Sequence, residues 1–341
     1  MLFLNKLLDA VKNLVLYNKS IEKPIFIKDF TEENALLRDL TDLSQKVSSY
    51  KKELILKDIK LLRYGIFGEK KVYFQLKNSF VPMLCLHDIR IEHKEFCAQL
   101  DFIVITNKFI YILENKNLYG DIEITRDGNF IRIIKDDTGH ILKKEGMDSP
   151  IIQNQRHINI LKDFLKGNNI SINVPIKSFI VFTNQKSLIH KDKAPINIKH
   201  SLIKHDQISS LIEHDLKNNR NTSLINNKEM YDVANILKNN HIEKKYNLQG
   251  KYNLTSKDYI NGTKNSSNDL KIYKELKKYR YNTSKQKNIP PYYVFKDSEL
   301  DLLVSLKPKT KKDLITIYGA YDKRIYIYGE DLLEIINSHS A

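Results

Sequence analysis

The stretch Asp101–Lys116, DFIVITNKFIYILENK, decides the fold. Two runs of β-branched and aromatic residues flank the polar pair Asn107-Lys108, a pattern typical of two antiparallel strands joined by a short turn. With the turn centred on this pair, counting outward along the ladder places Asp101 opposite Glu114. Directly opposed side chains have Cβ atoms roughly 4.5–5.5 Å apart. The sequence therefore predicts two adjacent carboxylates at one end of a buried hairpin.

A lysine completes this charged group. Lys116 lies two residues beyond Glu114, so the alternation of a strand places both side chains on one face. Facing carboxylates destabilise a sheet unless a cation compensates them. Mg²⁺ is bound by one or two carboxylates together with waters and phosphate oxygens, and a nearby ammonium can assist the attacking water. The pattern indicates phosphodiester hydrolysis; the alternative is a solvated ion pair beside an edge strand that begins at Asp101.

Ordered motifs on both sides of the hairpin bear on this choice. In chain order they are GIFGEKKV (65–72), LHDI (86–89), AQLD (98–101), ENK (114–116), NLYGDI (117–122) and SPIIQNQRH (149–157). Together they resemble the nuclease-related domain, NERD, a branch of the PD-(D/E)xK nuclease superfamily, over about residues 64–183. The family often has Gln-Ile-Asp-His where this chain has QLDF (99–102), and Asn-Pro where it has SP (149–150). Neither departure removes a charged group of the predicted site.

The resemblance implies roles for the residues of the hairpin. Asp101 and Glu114 would bind the metal ion, Mg²⁺ or Mn²⁺, and the backbone carbonyl of Asn115 would add a ligand. Lys116 would act on the nucleophilic water. The expected activity is that of a metal-dependent nuclease.

Two further residues are candidates for the catalytic site. Glu69 follows two glycines at the start of an apolar-periodic stretch, which predicts a position near a helix N-terminus. It is either a helix-capping residue or an accessory acid that positions metal or water. Gln153 is predicted to lie on a helix, with His157 at i+4 on the same face. Either these polar groups reach the cleft, or the helix packs with Gln153 satisfied by backbone.

The C-terminal segment has a separate set of motifs. They are Leu276, Tyr279-Arg280, PPYYVF (290–295), Leu300, Leu303, Pro308, Leu314, IYG (317–319) and YG (328–329). Over about residues 269–338 this pattern resembles the HRDC domain, a small helical module of helicases and RNase D. A basic cluster interleaved with tyrosines is either a nucleic-acid contact or a solvated helix face; it consists of Lys277, Lys278, Arg280, Lys285 and Lys287.

Composition fits a protein that meets polyanions. The net charge of the 341 residues is +15, although a compositional bias towards lysine, asparagine and isoleucine would also contribute to it. The chain has two cysteines and no CxxC pair, which argues against a zinc site or a disulfide framework and predicts a reducing, cytoplasmic location. Charges interrupt the leucine-rich residues 1–17, which argues against a signal peptide or a membrane span. An amphipathic packing helix is expected there, with peripheral membrane contact as the alternative.

The sequence therefore predicts an α/β fold with a PD-(D/E)xK restriction-endonuclease-like core, an N-terminal helical extension and a small all-α C-terminal HRDC-like domain. The predicted boundaries are 1–62 for the extension, 63–216 for the nuclease-like domain, 217–268 for a polar linker with a short helix, and 269–341 for the HRDC-like domain. The expected partner is nucleic acid, with DNA favoured over RNA, together with a helicase or another DNA-processing protein. A non-catalytic nucleic-acid-binding protein and a partner-activated defence effector are the alternative functions.

Overall fold

The computed structural model describes residues 20–218, 223–259, 266–318 and 322–339. The chain divides into two compact units: Met1–Glu32 with Arg63–Lys245, and Glu33–Leu62 with Tyr246–Ala341. The amphipathic helix predicted at residues 1–17 lies outside the described residues. The candidate catalytic residues all belong to the first unit, and the basic cluster belongs to the second.

Within the described ranges, the strands lie in the first unit. In chain order they are β1 (Ile25–Lys28), β2 (Leu84–His93), β3 (Phe96–Ile105), β4 (Ile110–Lys116), β5 (Asp121–Ile124), β6 (Phe130–Lys135), β7 (Ile141–Met147), β8 (Ile176–Phe182), β9 (Ile189–His190) and β10 (Leu202–Lys204). Six of them form the main sheet in the order β1-β2-β3-β4-β8-β10, and four form a second sheet in the order β7-β6-β5-β9. The prediction of an α/β core is confirmed.

The register of the central hairpin agrees with the sequence. Phe102 pairs with Leu113 and Ile105 with Ile110, so the next positions outward are Asp101 and Glu114. Strand β4 also pairs in parallel with β8, placing Glu114 beside Ile180. Because β4 is covered on both edges and both faces, its first five residues are buried and read as a continuous apolar run ending in Glu114.

The described helices are distributed over both units, and those of the first unit cover the two faces of the main sheet. In chain order the helices are α1 (Ala35–Lys46), α2 (Lys51–Lys77), α3 (Pro150–Gly167), α4 (Ile196–Ser201), α5 (Ile208–Asn218), α6 (Asn227–Asn239), α7 (Leu248–Lys251), α8 (Ser266–Gln286), α9 (Asp297–Leu306), α10 (Lys311–Tyr318) and α11 (Arg324–Ser338). One core joins the sheet to α3 and α6, and another joins it to α2 and α5. The sheet is thereby enclosed between two helical layers.

The structure differs from the predicted linker at 217–268. Helix α6 is not a linker element: Met230, Tyr231 and Leu237 are buried in the first unit's core. Its start is fixed by a capping box, in which Asn226 accepts a hydrogen bond from the Glu229 backbone amide and Glu229 accepts one from the Asn226 amide. Asparagines and lysines between the apolar positions made this segment look polar in sequence.

The predicted N-terminal extension, 1–62, also differs from the structure. Residues Ile25–Lys28 form a strand of the main sheet, parallel to β2, because the run Ile-Phe-Ile suits a paired, half-buried position. Residues 33–62 are helical as predicted but belong to the second unit. There Tyr50 stacks on Tyr273 with ring centroids 5.1 Å apart, and Ile55 and Ile59 share a core with Tyr252 and Leu254.

Candidate active site

The site is built around an interruption in the main sheet. Strands β2 and β3 pair regularly from Leu84–Ile105 to His87–Phe102 and again from Ile89–Leu100, but not at Asp88 and Asp101. Asp88 has a left-handed backbone, with φ of 52°, and its carboxylate accepts a hydrogen bond from Gln99. The regular hydrogen-bond ladder is therefore interrupted at Asp101. Irregular strand positions are common next to active sites.

Asp101 and Glu114 are held by two different groups of strand β4. The backbone amide of Asn115 donates to Asp101 Oδ2 at 2.8 Å. The Lys116 ammonium lies 2.8 Å from Glu114 Oε1, and Glu114 is 5% exposed. Within the described parts of the chain, Asp101 Oδ1 and Glu114 Oε2 have no protein hydrogen-bond donor. Each carboxylate therefore keeps one oxygen for a further ligand.

A third carboxylate enters from helix α2. Glu69 Oε2 accepts a hydrogen bond from the buried His87 at 2.9 Å, and His87 lies between the rings of Phe30 and Phe102. The predicted position of Glu69 near a helix N-terminus is wrong, because α2 begins at Lys51 and continues through both glycines to Lys77. Glu69 faces inward from the middle of the helix. His87 belongs to the LHDI motif, but nothing in its sequence context indicated that it holds Glu69.

The burial and the like charges of Asp101, Glu114 and Glu69 make this group of carboxylates electrostatically unfavourable. Burial raises the pKa of Asp101 well above its usual value, and the neighbouring carboxylates of Glu114 and Glu69 raise it further. The Asn115 amide and the Lys116 ammonium oppose this shift but do not cancel it. A divalent cation would compensate the excess negative charge.

The donor set fits Mg²⁺ or Mn²⁺ rather than a metal that requires a full protein cage. No group of three or more His, Cys, Asp or Glu side chains suitable for a metal occurs among the described residues. Asp101 and Glu114 can supply two oxygens, and waters and phosphate oxygens normally complete such a site. The predicted ligand role of the Asn115 carbonyl stays a prediction, whereas its side chain bonds Thr183 and Gly65.

A close contact between α2 and the catalytic strands requires a glycine. A Cβ atom on Gly68 would lie 2.6 Å from Thr183 Oγ1 and 2.7 Å from Asn117 Cβ. Helix α2 can therefore approach the ends of β4 and β8 only because Gly68 lacks a side chain. This approach brings Glu69 to the carboxylate pair.

Alanine substitution of the two glycines of α2 should give opposite results. Gly68→Ala is expected to destabilise the protein by roughly 1–3 kcal/mol, because the methyl group overpacks the contact with β4 and β8. Gly65→Ala is the matched control: its Cβ would meet nothing within 4 Å, so the helix should gain up to about 1 kcal/mol. Denaturant unfolding of both variants measures this, and equal effects would contradict the close contact.

Helix α3 presents His157, rather than Gln153, to the site. Gln153 lies on α3 as predicted but is exposed, and among the described residues its side chain has no hydrogen-bond partner. His157 is half-buried, its Nδ1 atom has no partner in the described structure, and its pKa is lowered by burial while Glu114 opposes that shift. The structure therefore gives no contact for Gln153 in the site.

The basic cluster divides into exposed and structural members. Lys277, Lys278 and Lys285 are exposed on α8, and Lys287 is exposed just beyond it. Arg280 instead donates to the Phe295 carbonyl and to Asp297, so its guanidinium holds the second unit together. The interleaved tyrosines divide in the same way: Tyr273 is buried, Tyr279 bonds Asp331, and Tyr281 is exposed.

Comparisons with known proteins agree with both resemblances. Residues 64–183 match the sequence model of the nuclease-related domain, and residues 269–336 match that of the HRDC domain. The chain therefore contains a NERD domain, which is PD-(D/E)xK-like, and an HRDC domain, as predicted. These assignments support nuclease-related function and nucleic-acid binding as classes.

More distant similarities are partial. The chain is 32% identical over 72 residues to the ATP-dependent DNA helicase UvrD2 of Mycobacterium bovis and of Mycobacterium tuberculosis. The match covers 21% of this chain and 10% of the helicase. No solved structure matches the chain significantly. Among the described residues, every helix is too short or too polar to cross a membrane.

Proposed function

We propose that this protein is a metal-dependent nuclease that hydrolyses phosphodiester bonds, with Mg²⁺ or Mn²⁺ as cofactor and DNA as substrate. The observation that carries the proposal is the convergence of Asp101, Glu114 and Lys116 at adjoining strand ends, with Glu69 brought to them by α2. A purely structural ion pair would need neither the second carboxylate nor the third.

Each residue of the site would have its own role in hydrolysis. Asp101 and Glu114 would hold the metal through their unpaired oxygens, and the metal would supply Lewis-acid stabilisation of the phosphate charge. Lys116, already 2.8 Å from Glu114, is positioned to orient the attacking water. The His87–Glu69 pair would fix the third carboxylate so that it positions metal or water.

The second unit would bind the same polymer. Its exposed lysines on α8 suit phosphate contacts, and Tyr281 offers an exposed ring beside Lys285, whose ammonium lies 5.9 Å from the ring centroid. The helicase similarity supports DNA as the polymer and a DNA-processing protein as partner. The free thiols of Cys85 and Cys97 support a reducing cytoplasm as its location.

Neutralising the exposed lysines should change the salt dependence of binding. Lys277→Gln, Lys278→Gln and Lys285→Gln together should make the slope of log affinity against log salt shallower, by about 0.9 for each lost duplex phosphate contact and about 0.7 for each single-strand contact. Lys311→Gln is the control, because that ammonium is already 2.6 Å from Glu330. An unchanged slope in the triple variant would mean that these lysines form a solvated helix face and do not contact nucleic acid.

The activity itself is tested with the purified 341-residue protein on plasmid, linear duplex and single-stranded substrates. Cleavage is expected with Mg²⁺ or Mn²⁺ and not with a chelator. Binding without cleavage under every metal condition would favour the non-catalytic alternative, and cleavage only after addition of a cell extract would favour the partner-activated one.

A further inference from the structure

One face of helix α2 is exposed, aromatic and basic, and it adjoins the candidate active site. We call it the outer face of α2 and define it by Arg63, Tyr64, Phe67, Lys71, Phe74 and Lys77; Lys71 is half-buried and the other five are exposed. Tyr64 is 52% exposed, Phe67 54% and Phe74 61%. Single exposed aromatic residues are ordinary, but here three rings lie along one side of a single helix: Tyr64 and Phe67 are one turn apart, and Phe74 follows two turns later.

The outer face carries no negative charge of its own. Glu69 is the only acidic residue between Arg63 and Lys77, and its carboxylate faces inward to His87. Two acidic residues from outside the helix act on its lysines: Glu32 pairs with Lys70, and Asp29 acts on Lys77 through its charge. Arg63 has no acidic partner within the described ranges, and the Lys71 ammonium lies 4.9 Å from the Phe67 ring centroid. The surface therefore suits an anionic ligand with flat apolar groups.

This face is anchored directly to the catalytic strand. Asn117, the residue after Lys116, donates to the Tyr64 carbonyl at 2.6 Å. Lys71 donates to the Thr183 carbonyl at 2.8 Å, and Gly68 packs against both strand ends between these anchors. Tyr64 and Lys71 are therefore bonded to the residues that directly follow β4 and β8, and β4 carries Glu114 and Lys116 at that end.

We propose that the outer face of α2 is the platform on which an unpaired nucleic-acid strand enters the active site. The proposal rests on the proposed nuclease function and deepens it by naming the substrate class: single strands, frayed ends or flaps. In a duplex the bases are already stacked on each other, so an exposed aromatic side chain finds few free base faces on which to stack. In an unpaired strand every base has a free π-face, and aromatic side chains can stack on it regardless of sequence.

Binding measured in a chelator tests the platform independently of cleavage. The reference is the 341-residue protein carrying Lys277→Gln, Lys278→Gln and Lys285→Gln, so that binding by the basic helix α8 does not mask a change. Fluorescence anisotropy would compare a short single-stranded oligonucleotide with the duplex of the same sequence. Adding Tyr64→Ala and Phe67→Ala should weaken single-strand binding by roughly 5- to 150-fold for each base that loses its ring. Duplex affinity should stay the same.

Two controls separate stacking from folding. Tyr64→Phe keeps a ring and should bind single strands like the reference. Phe96→Ala removes a ring that is 57% exposed at the start of β3, away from this face, and should change neither affinity. Undiminished single-strand binding by the Tyr64/Phe67 variant, or an equal loss for duplex, would overturn the proposal. Cleavage that persists in that variant would leave the nuclease assignment standing.

Discussion

Replacing Asp101 by Asn, or Glu114 by Gln, is expected to abolish metal-dependent cleavage. Each substitution removes one charge from the carboxylate pair with little change in volume. Metal stabilisation of phosphate charge supplies several kcal/mol, and about 1.4 kcal/mol corresponds to a tenfold change in rate. The cleavage rate should therefore fall by roughly 10³-fold or more, measured under single-turnover conditions with saturating metal.

The stability of the Asp101→Asn variant provides the control. Burial, Glu114 and Glu69 raise the pKa of Asp101, so its charge costs folding free energy in the metal-free protein at neutral pH. The cost is absent at acidic pH, below the ordinary carboxyl pKa, where both the folded and unfolded forms are protonated. In chelator, the variant should be at least as stable as the wild type at neutral pH, and this advantage should vanish in acid. Wild-type cleavage by either variant would remove Asp101 and Glu114 from the site.

Replacing Lys116 should reduce turnover while leaving metal binding in place. Loss of a positioned proton-transfer group typically lowers the rate by roughly 10²–10⁴-fold. Lys116 supplies neither of the two oxygens that are proposed to bind the metal. Lys116→Ala leaves the buried Glu114 without its ion-pair partner, so Lys116→Gln is the second variant: its amide can still donate to Glu114. The measurement is the single-turnover rate across a metal titration.

Lys144→Ala is the matched control for Lys116. Lys144 also pairs with a glutamate on a strand, lying 3.1 Å from Glu123, but in the second sheet. Its removal should leave turnover unchanged. If Lys116→Gln retained wild-type turnover, Lys116 would be only a structural partner of Glu114.

The carboxylate pair could be predicted because the pairing of two strands joined by a short turn is set by the local sequence. A turn centred on Asn107-Lys108 and a period of two residues fix which positions face each other, so Asp101, Glu114 and Lys116 followed from counting. The burial of Glu114 followed from the apolar run that precedes it. The fold class of both domains was carried by motifs spread over each domain rather than by any one residue.

The remaining site residues depend on tertiary contacts that no local pattern contains. Glycines usually weaken helices, so the sequence placed a helix start near Glu69. The structure instead uses Gly68 to bring an unbroken helix against Thr183, at a position far away in the sequence. The His87–Glu69 hydrogen bond likewise joins β2 to α2, and only the path of the chain brings them together.

The second unit could not be delimited from sequence for a related reason. Residues 33–62 complete its cores from a position N-terminal to the nuclease-related domain, and no local signal marks this pairing of distant segments. Helix α6 is the opposite case. It belongs to the first unit, but asparagine and lysine residues between its apolar positions made the segment look like a linker.

Direct measurement of Mn²⁺ binding tests whether Asp101 and Glu114 form a divalent-cation site. Loss of the free Mn²⁺ electron paramagnetic resonance signal would be followed on titration into the 341-residue wild type, Asp101→Asn and Lys116→Gln. Saturable binding is expected for wild type and Lys116→Gln, and no specific binding for Asp101→Asn. Equal Mn²⁺ binding by wild type and Asp101→Asn would contradict it.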